Sequence, residues 1–200
     1  MASAANGRKI TVIQGHPDAA RHHLCHALAD AYSEGAAEGG HAVRRVDVAT
    51  LEFAWLRSKH DFEESDVPPA LREAQAAIAW ADHLVFVYPL WLGAMPAILK
   101  AFLEQVFRPG FAFSRVGGGS MGIQLLKGKS ARIVVTMGMP AFFYRLYFRA
   151  HSLKSFERNI LKFCGISPVK ESLFGMVDGA DEPKRLAWQK QLRGLGRAGA

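Results

Sequence analysis

His16, His22, His23, Cys25 and His26, side chains that can ligate a metal or move protons, stand in one stretch after the apolar run Lys9–Gln14 (KITVIQ). Imidazole and thiolate are the usual zinc donors, and His22 and His26 sit one helical turn apart. No H-E-x-x-H and no paired C-x-x-C accompanies them, so a zinc centre is set aside and no metal is expected. The same stretch, Gly15-His16-Pro17-Asp18-Ala19-Ala20-Arg21-His22-His23, joins a buried strand to a helix. Free backbone N–H groups and the helix dipole favour an anion there, and a phosphate is the natural candidate. The loop has neither a G-K-[ST] nor a G-x-G-x-x-G pattern, which argues against nucleoside triphosphate hydrolysis. It also lacks Ser and Thr, leaving Arg21, the histidines and main-chain amides to hold the phosphate.

A second loop runs Tyr88-Pro89-Leu90-Trp91-Leu92-Gly93-Ala94-Met95-Pro96 into the helical stretch Ala97–Phe107. Two prolines stiffen a turn whose aromatic and small residues suit a planar ring, while early helix amides suit the ring's polar edge. A third loop, Thr136-Met137-Gly138-Met139-Pro140, follows the apolar run RIVVT. Gly117-Gly118-Gly119-Ser120-Met121-Gly122 follows no buried strand and opens no clear helix, and it reads as a flap over the site rather than a phosphate cradle.

Short apolar strands alternating with helices must position these loops. Strands are expected at Lys9–Gln14, at about 42–48, at His83–Tyr88 (HLVFVY), at Arg132–Thr136 and at Glu171–Val177. Helices fill the intervals, with one broadly helical stretch from about Phe142 to Phe163 and another at the C-terminus. The pattern predicts an α/β fold, a doubly wound parallel sheet of about five strands with helices on both faces and the ligand beyond the strands' carboxyl ends. One domain over residues 1–200 is expected, with 1–8 and about 195–200 disordered. The net charge is +7 and the pI about 9.6, but the basic residues are scattered, so a solvated surface is expected rather than a nucleic-acid site. No apolar run at the N-terminus is long enough for a signal or membrane helix, and the two cysteines, Cys25 and Cys164, make no disulfide framework. A cytoplasmic protein without membrane insertion is expected.

The segment P-L-W-L-G-A-M-P-A-I-L-K, followed by Glu104-Gln105-Val106-Phe107, Gly110-Phe111-Ala112-Phe113, Lys127-Gly128-Lys129 and Phe163-Cys164-Gly165, resembles the NAD(P)H:quinone oxidoreductase, DT-diaphorase-like family. These landmarks keep the family's order over nearly the whole chain. The resemblance implies a flavodoxin-like fold and a flavin, FAD with FMN as the alternative, reduced by NAD(P)H. The implied reaction is two-electron reduction of a quinone or similar flat acceptor in a ping-pong cycle.

It further implies cofactor contacts by His16, Arg21, His22, Leu24, Cys25, Pro89, Leu90, Trp91, Leu92, Thr136, Met137, Gly138 and Met139. Leu24-Cys25 stands where the family has Phe-Asn, and Leu92 where many members are aromatic. Catalytic roles fall on Tyr144 and His151, with His151 suited by type to deliver a proton. Phe113, Phe163 and Tyr147 become acceptor-pocket residues, the two phenylalanines resembling positions the family supplies across a homodimer interface. Reduction of azo or nitro compounds, or a non-catalytic regulatory role in a transport system on the same fold, are the alternatives.

Overall fold

The computed structural model describes residues 7–20, 22–114 and 122–200. Arg21 and most of the glycine-rich segment expected to form a flap lie outside the described residues. In chain order the elements are β1 (Lys9–Gln14), α1 (Leu24–Glu38), β2 (Ala42–Asp47), α2 (Lys59–Glu63), α3 (Pro69–Trp80) and β3 (His83–Pro89). They continue with α4 (Ala97–Val106), β4 (Phe113–Ser114), β5 (Ile123–Gln124), β6 (Ser130–Thr136), α5 (Ala141–Leu146), α6 (His151–Ser155), β7 (Val169–Phe174) and α7 (Glu182–Arg197).

Five strands form one sheet in the order β2-β1-β3-β6-β7, every neighbouring pair parallel. This is the flavodoxin-like order, in which the connections reverse direction between β1 and β3 and leave a crevice at their carboxyl ends. The β-branched runs at β3 and β6 are buried along their whole length, as strands covered on both faces must be. Alternation sends Ile10, Val12, Val85, Val87 and Val134 to one face, against Leu28 and Tyr32 of α1 and Leu192 of α7. Ile13, Leu84, Phe86, Ile133 and Val135 go to the other, against Leu71 and Ile78 of α3 and Phe102 of α4. Phe113 and Gly122 flank a small antiparallel excursion, β4 with β5, outside the main sheet.

Two local differences from the sequence-based expectation have physical causes. The stretch from Phe142 to Phe163 is not one helix: Arg149 and Ala150 adopt φ of 50° and 48°, which ends α5 and restarts the chain as α6 and a π-helical turn over Phe156–Leu161. Left-handed conformations in non-glycine residues carry no sequence signal. The end of the chain, expected to fray, is held instead. Arg132 Nε donates to the Ala200 carbonyl oxygen at 2.8 Å and Arg8 Nη1 to the Gly199 oxygen at 2.7 Å. No helix among the described residues is long and apolar enough to cross a membrane.

At the amino edge of the sheet, His83 is 2 % exposed and its Nδ1 lies 2.8 Å from Ser130 Oγ. Arg8 Nη2 donates to the same Oγ at 2.7 Å, so the hydroxyl proton is free to point at His83 Nδ1. The imidazole proton then sits on Nε2, which is buried without a partner among the described residues. Burial, then the Arg8 and Arg132 charges, pushes the His83 pKa down to about 3. The unfolded chain therefore binds a proton that the folded one refuses between about pH 6.5 and 3, and stability falls as pH drops through that window. The slope this one group contributes is at most about 1.4 kcal/mol per pH unit. Chemical denaturation of His83→Gln at pH 4.5 and 7 is expected to show a smaller acid loss than the parent; an equal loss would remove His83 as its source.

Candidate active site

Three loops at the carboxyl ends of β1, β3 and β6 surround a cavity of about 560 Å³, within the range of roughly 300–1,000 Å³ usual for small-ligand sites. Its lining comprises His16, His22 and His23 from the first loop, Leu24 and Cys25 from the start of α1, and Pro89, Leu90 and Trp91 after β3. Thr136, Met137 and Gly138 close it from β6, while Val177, Asp178 and Arg185 come from the β7–α7 connection and α7.

The first loop folds on itself through short polar contacts. His16 N–H donates to Gln14 Oε1 at 2.9 Å, Asp18 N–H to His16 Nδ1 at 3.1 Å, and Ala20 N–H to Asp18 Oδ1 at 2.8 Å. Helix α1 then begins with His23 as an N-cap that makes no side-chain cap hydrogen bond. The first-turn amides of Leu24 and Cys25, which a helix cannot satisfy internally, remain for an anion at the positive end of the dipole. Burial, with His23 and His26 nearby, holds the His16 pKa below the ordinary histidine value, so His16 is a neutral wall at pH 7. The Ala20 amide and then the His23 ring hold the Asp18 carboxyl below its ordinary range.

Cys25 Sγ lies 3.1 Å from Thr136 Oγ1, tying α1 to the end of β6. Burial pushes this thiol up to about 12, which keeps it protonated and unreactive at neutral pH. After β3, Leu90 N–H bonds to the Thr136 carbonyl oxygen at 2.8 Å, locking the second loop onto the third. Trp91 and Ala94 then bond to each other in both directions at 2.9 Å, forming a tight turn that leaves the Trp91 ring 51 % exposed and edge-on to His16 at 6.0 Å. In the third loop Met137 N–H is used by Phe174, whereas Gly138 and Met139 N–H have no acceptor among the described residues. A Cβ on Gly138 would stand 2.7 Å from Asp178 Oδ2, so glycine keeps this wall open.

These features fit a flavin: an uncapped helix start for a phosphate, with Arg185 among the residues lining the same cavity, a Pro-Leu-Trp wall for the ring, and a free amide for its polar edge. Several residues expected at the site are elsewhere. Leu92 has φ of 47° and is fully exposed, because the Trp91–Ala94 turn swings it outward. Met139 packs against the sheet core rather than lining the cavity. Tyr144 is 2 % exposed, with its hydroxyl 2.7 Å from Ser152 Oγ and accepting from Leu153 N–H at 3.3 Å. It anchors the start of α6 and does not line the cavity. The left-handed pair Arg149-Ala150 carries His151 away to an exposed helix start. Tyr147 stacks on Phe143 at 5.0 Å on the surface. Phe113 and Phe163, which the resemblance assigns to a pocket shared across a dimer interface, meet each other edge-on at 5.0 Å near β4. Val177, Asp178 and Arg185 were not expected from the sequence, since no motif marks them; their one signal is position, just past a strand's carboxyl end.

A model of the flavodoxin-like fold family matches residues 8–194. A protein of Haemophilus influenzae named as an uncharacterized NAD(P)H oxidoreductase is 30 % identical over 180 residues, covering 88 % of each chain. The human ribosyldihydronicotinamide dehydrogenase [quinone] is 28 % identical over 144 residues, which are 66 % of this chain and 60 % of that protein. Among solved structures, the NAD(P)H:quinone oxidoreductase of Methanothermobacter marburgensis superposes with a TM-score of 0.80 at 22 % identity, covering 96 % of both chains. Smu.1420 of Streptococcus mutans UA159 superposes at 0.76 with 26 % identity, covering 94 % of this chain and 98 % of that one. Since family model, sheet order and cavity position coincide, the protein belongs to the flavodoxin-like fold family and is an oxidoreductase within it.

Proposed function

We propose that the protein is a flavin-dependent NAD(P)H oxidoreductase that reduces quinones or similarly flat acceptors in a ping-pong cycle. The observation that carries this reading is the convergence of the uncapped α1 start, the Pro89-Leu90-Trp91 wall and the free Gly138 amide on one cavity. When bound, the flavin supplies a ring that takes a hydride equivalent from NAD(P)H and passes it to the acceptor. The chain's own residues bind and orient. Leu24 and Cys25 amides with His22 hold the phosphate, Trp91 and Pro89 cover the ring, and the Gly138 N–H group addresses its carbonyl edge. His16, neutral and buried at the wall, orients the ligand without adding charge.

The resemblance points to FAD, but some relatives are named for FMN. One is the FMN-dependent NADH:quinone oxidoreductase of Macrococcus caseolyticus, 30 % identical over 65 % of this chain and 59 % of that protein. FMN is therefore placed first. Titration of the purified protein with each flavin tests this: one equivalent of FMN is expected to bind more tightly than FAD, and binding of neither would overturn the flavin reading.

A homodimer is part of the proposal. Phe143, Tyr147 and Phe148 form a ring cluster on and just beyond α5, with Phe142 67 % and Leu146 76 % exposed beside it in sequence. A patch of this composition favours burial against a second copy. Sedimentation of Tyr147→Asp is expected to show a shift toward monomer relative to the parent; a monomeric parent would refute the dimer.

A further inference from the structure

The first loop holds a second constellation, which shares His22 with the phosphate contact proposed above. Asp18, His22 and His23 each place one ligand atom within 4.8 Å of the others, two imidazole nitrogens and a carboxylate oxygen. The residues are presented rather than scattered. The Ala20 amide at 2.8 Å holds Asp18 Oδ1, leaving Oδ2 to point at His23 Nε2 at 2.7 Å. The His23 ring is stacked on buried His16 at 4.0 Å, and the His22 ring lies 4.2 Å from that of His23. Groups that orient metal ligands in known sites act by hydrogen bonds to the ligand's second atom, as the Ala20 amide does for Asp18.

We propose that Asp18, His22 and His23 form a site for a divalent transition metal of the Zn²⁺ type at the mouth of the cavity. Tetrahedral zinc with bonds of about 2.0–2.1 Å sets its donors about 3.4 Å apart. The Asp18–His23 pair opens slightly to admit the metal between Oδ2 and Nε2, and His22 closes by a side-chain rotation. Two nitrogens against one oxygen select Zn²⁺, Co²⁺ or Ni²⁺ over Mg²⁺ and Ca²⁺, which require mostly oxygen. Three protein ligands leave a coordination position open. The sequence pattern hid this site because His22 and His26, one helical turn apart, look like the pair, whereas the third donor is Asp18 from the loop.

The test is independent of flavin. The full-length protein, freed of any affinity tag and of metal by chelator and dialysis, is titrated with Co²⁺ and Zn²⁺. One equivalent is expected to bind, with visible Co²⁺ bands of tetrahedral type that Zn²⁺ abolishes and excess Mg²⁺ does not. His22→Ala and Asp18→Asn are expected to weaken binding about tenfold or more, with unchanged circular dichroism because both positions are exposed. His60→Ala, on an exposed i,i+4 pair with Glu64, is expected to bind as the parent does. Absence of stoichiometric binding, or equal affinity in the parent and His22→Ala, would overturn the site.

Discussion

Trp91→Ala is expected to raise the flavin dissociation constant about tenfold to a hundredfold, equivalent to about 1.4–2.8 kcal/mol. The ring is half exposed in the free protein and makes no core contact that the fold depends on, so its removal takes away ligand surface and little else. The Trp91–Ala94 turn is made by backbone groups and survives the change. Thermal stability close to that of the parent, with the flavin lost on gel filtration, is the expected pair of results. Trp91→Phe, which keeps a flat apolar face, is expected to retain most of the affinity. Unchanged retention in Trp91→Ala would place the ring outside the flavin contact.

The second large effect is structural. Helices α1 and α7 pack with backbones nearly touching: a Cβ on Gly196 would stand 2.1 Å from the Tyr32 carbonyl oxygen and 2.9 Å from the Ala36 nitrogen. Those atoms belong to helix backbone and cannot swing aside, so Gly196→Ala is expected to force the helices apart. Overpacking of this kind costs about 3 kcal/mol, lowering Tm by roughly 6–12 °C in a domain of this size. Gly194 lies in the same helix, and a Cβ there would meet nothing within 4 Å. Gly194→Ala is therefore expected to stabilise by about 0.5–1 kcal/mol through helix propensity alone. Scanning calorimetry of the two variants separates close approach from propensity. Because α7 also delivers Arg185 to the cavity, Gly196→Ala should weaken flavin binding as well.

The strands were legible because a sheet covered on both faces demands unbroken β-branched runs, and KITVIQ, HLVFVY and RIVVT are such runs. Much of the cavity was legible for the same reason: His16, Pro89, Trp91, Thr136 and Gly138 stand just past the carboxyl ends of strands that the pattern locates, while Leu24 and Cys25 were reached through the family resemblance. What was not legible depends on local dihedrals. The exposed Leu92 and the left-handed Arg149-Ala150 pair are ordinary side chains in unusual conformations, and they redirect Leu92 and His151 away from the cavity. Asp178 and Arg185 were missed because they reach the site from the far end of the chain, beyond a weakly patterned edge strand.

The most direct test of a flavin-dependent reductase is the visible spectrum of the flavin-reconstituted protein under anaerobic conditions, first with NADH or NADPH and then with a quinone. The bound-flavin band is expected to bleach on adding the nicotinamide nucleotide and to return on adding the quinone, with no carry-over of nucleotide needed for the second step. A bound flavin that neither nucleotide bleaches would contradict the oxidoreductase mechanism proposed for this cavity.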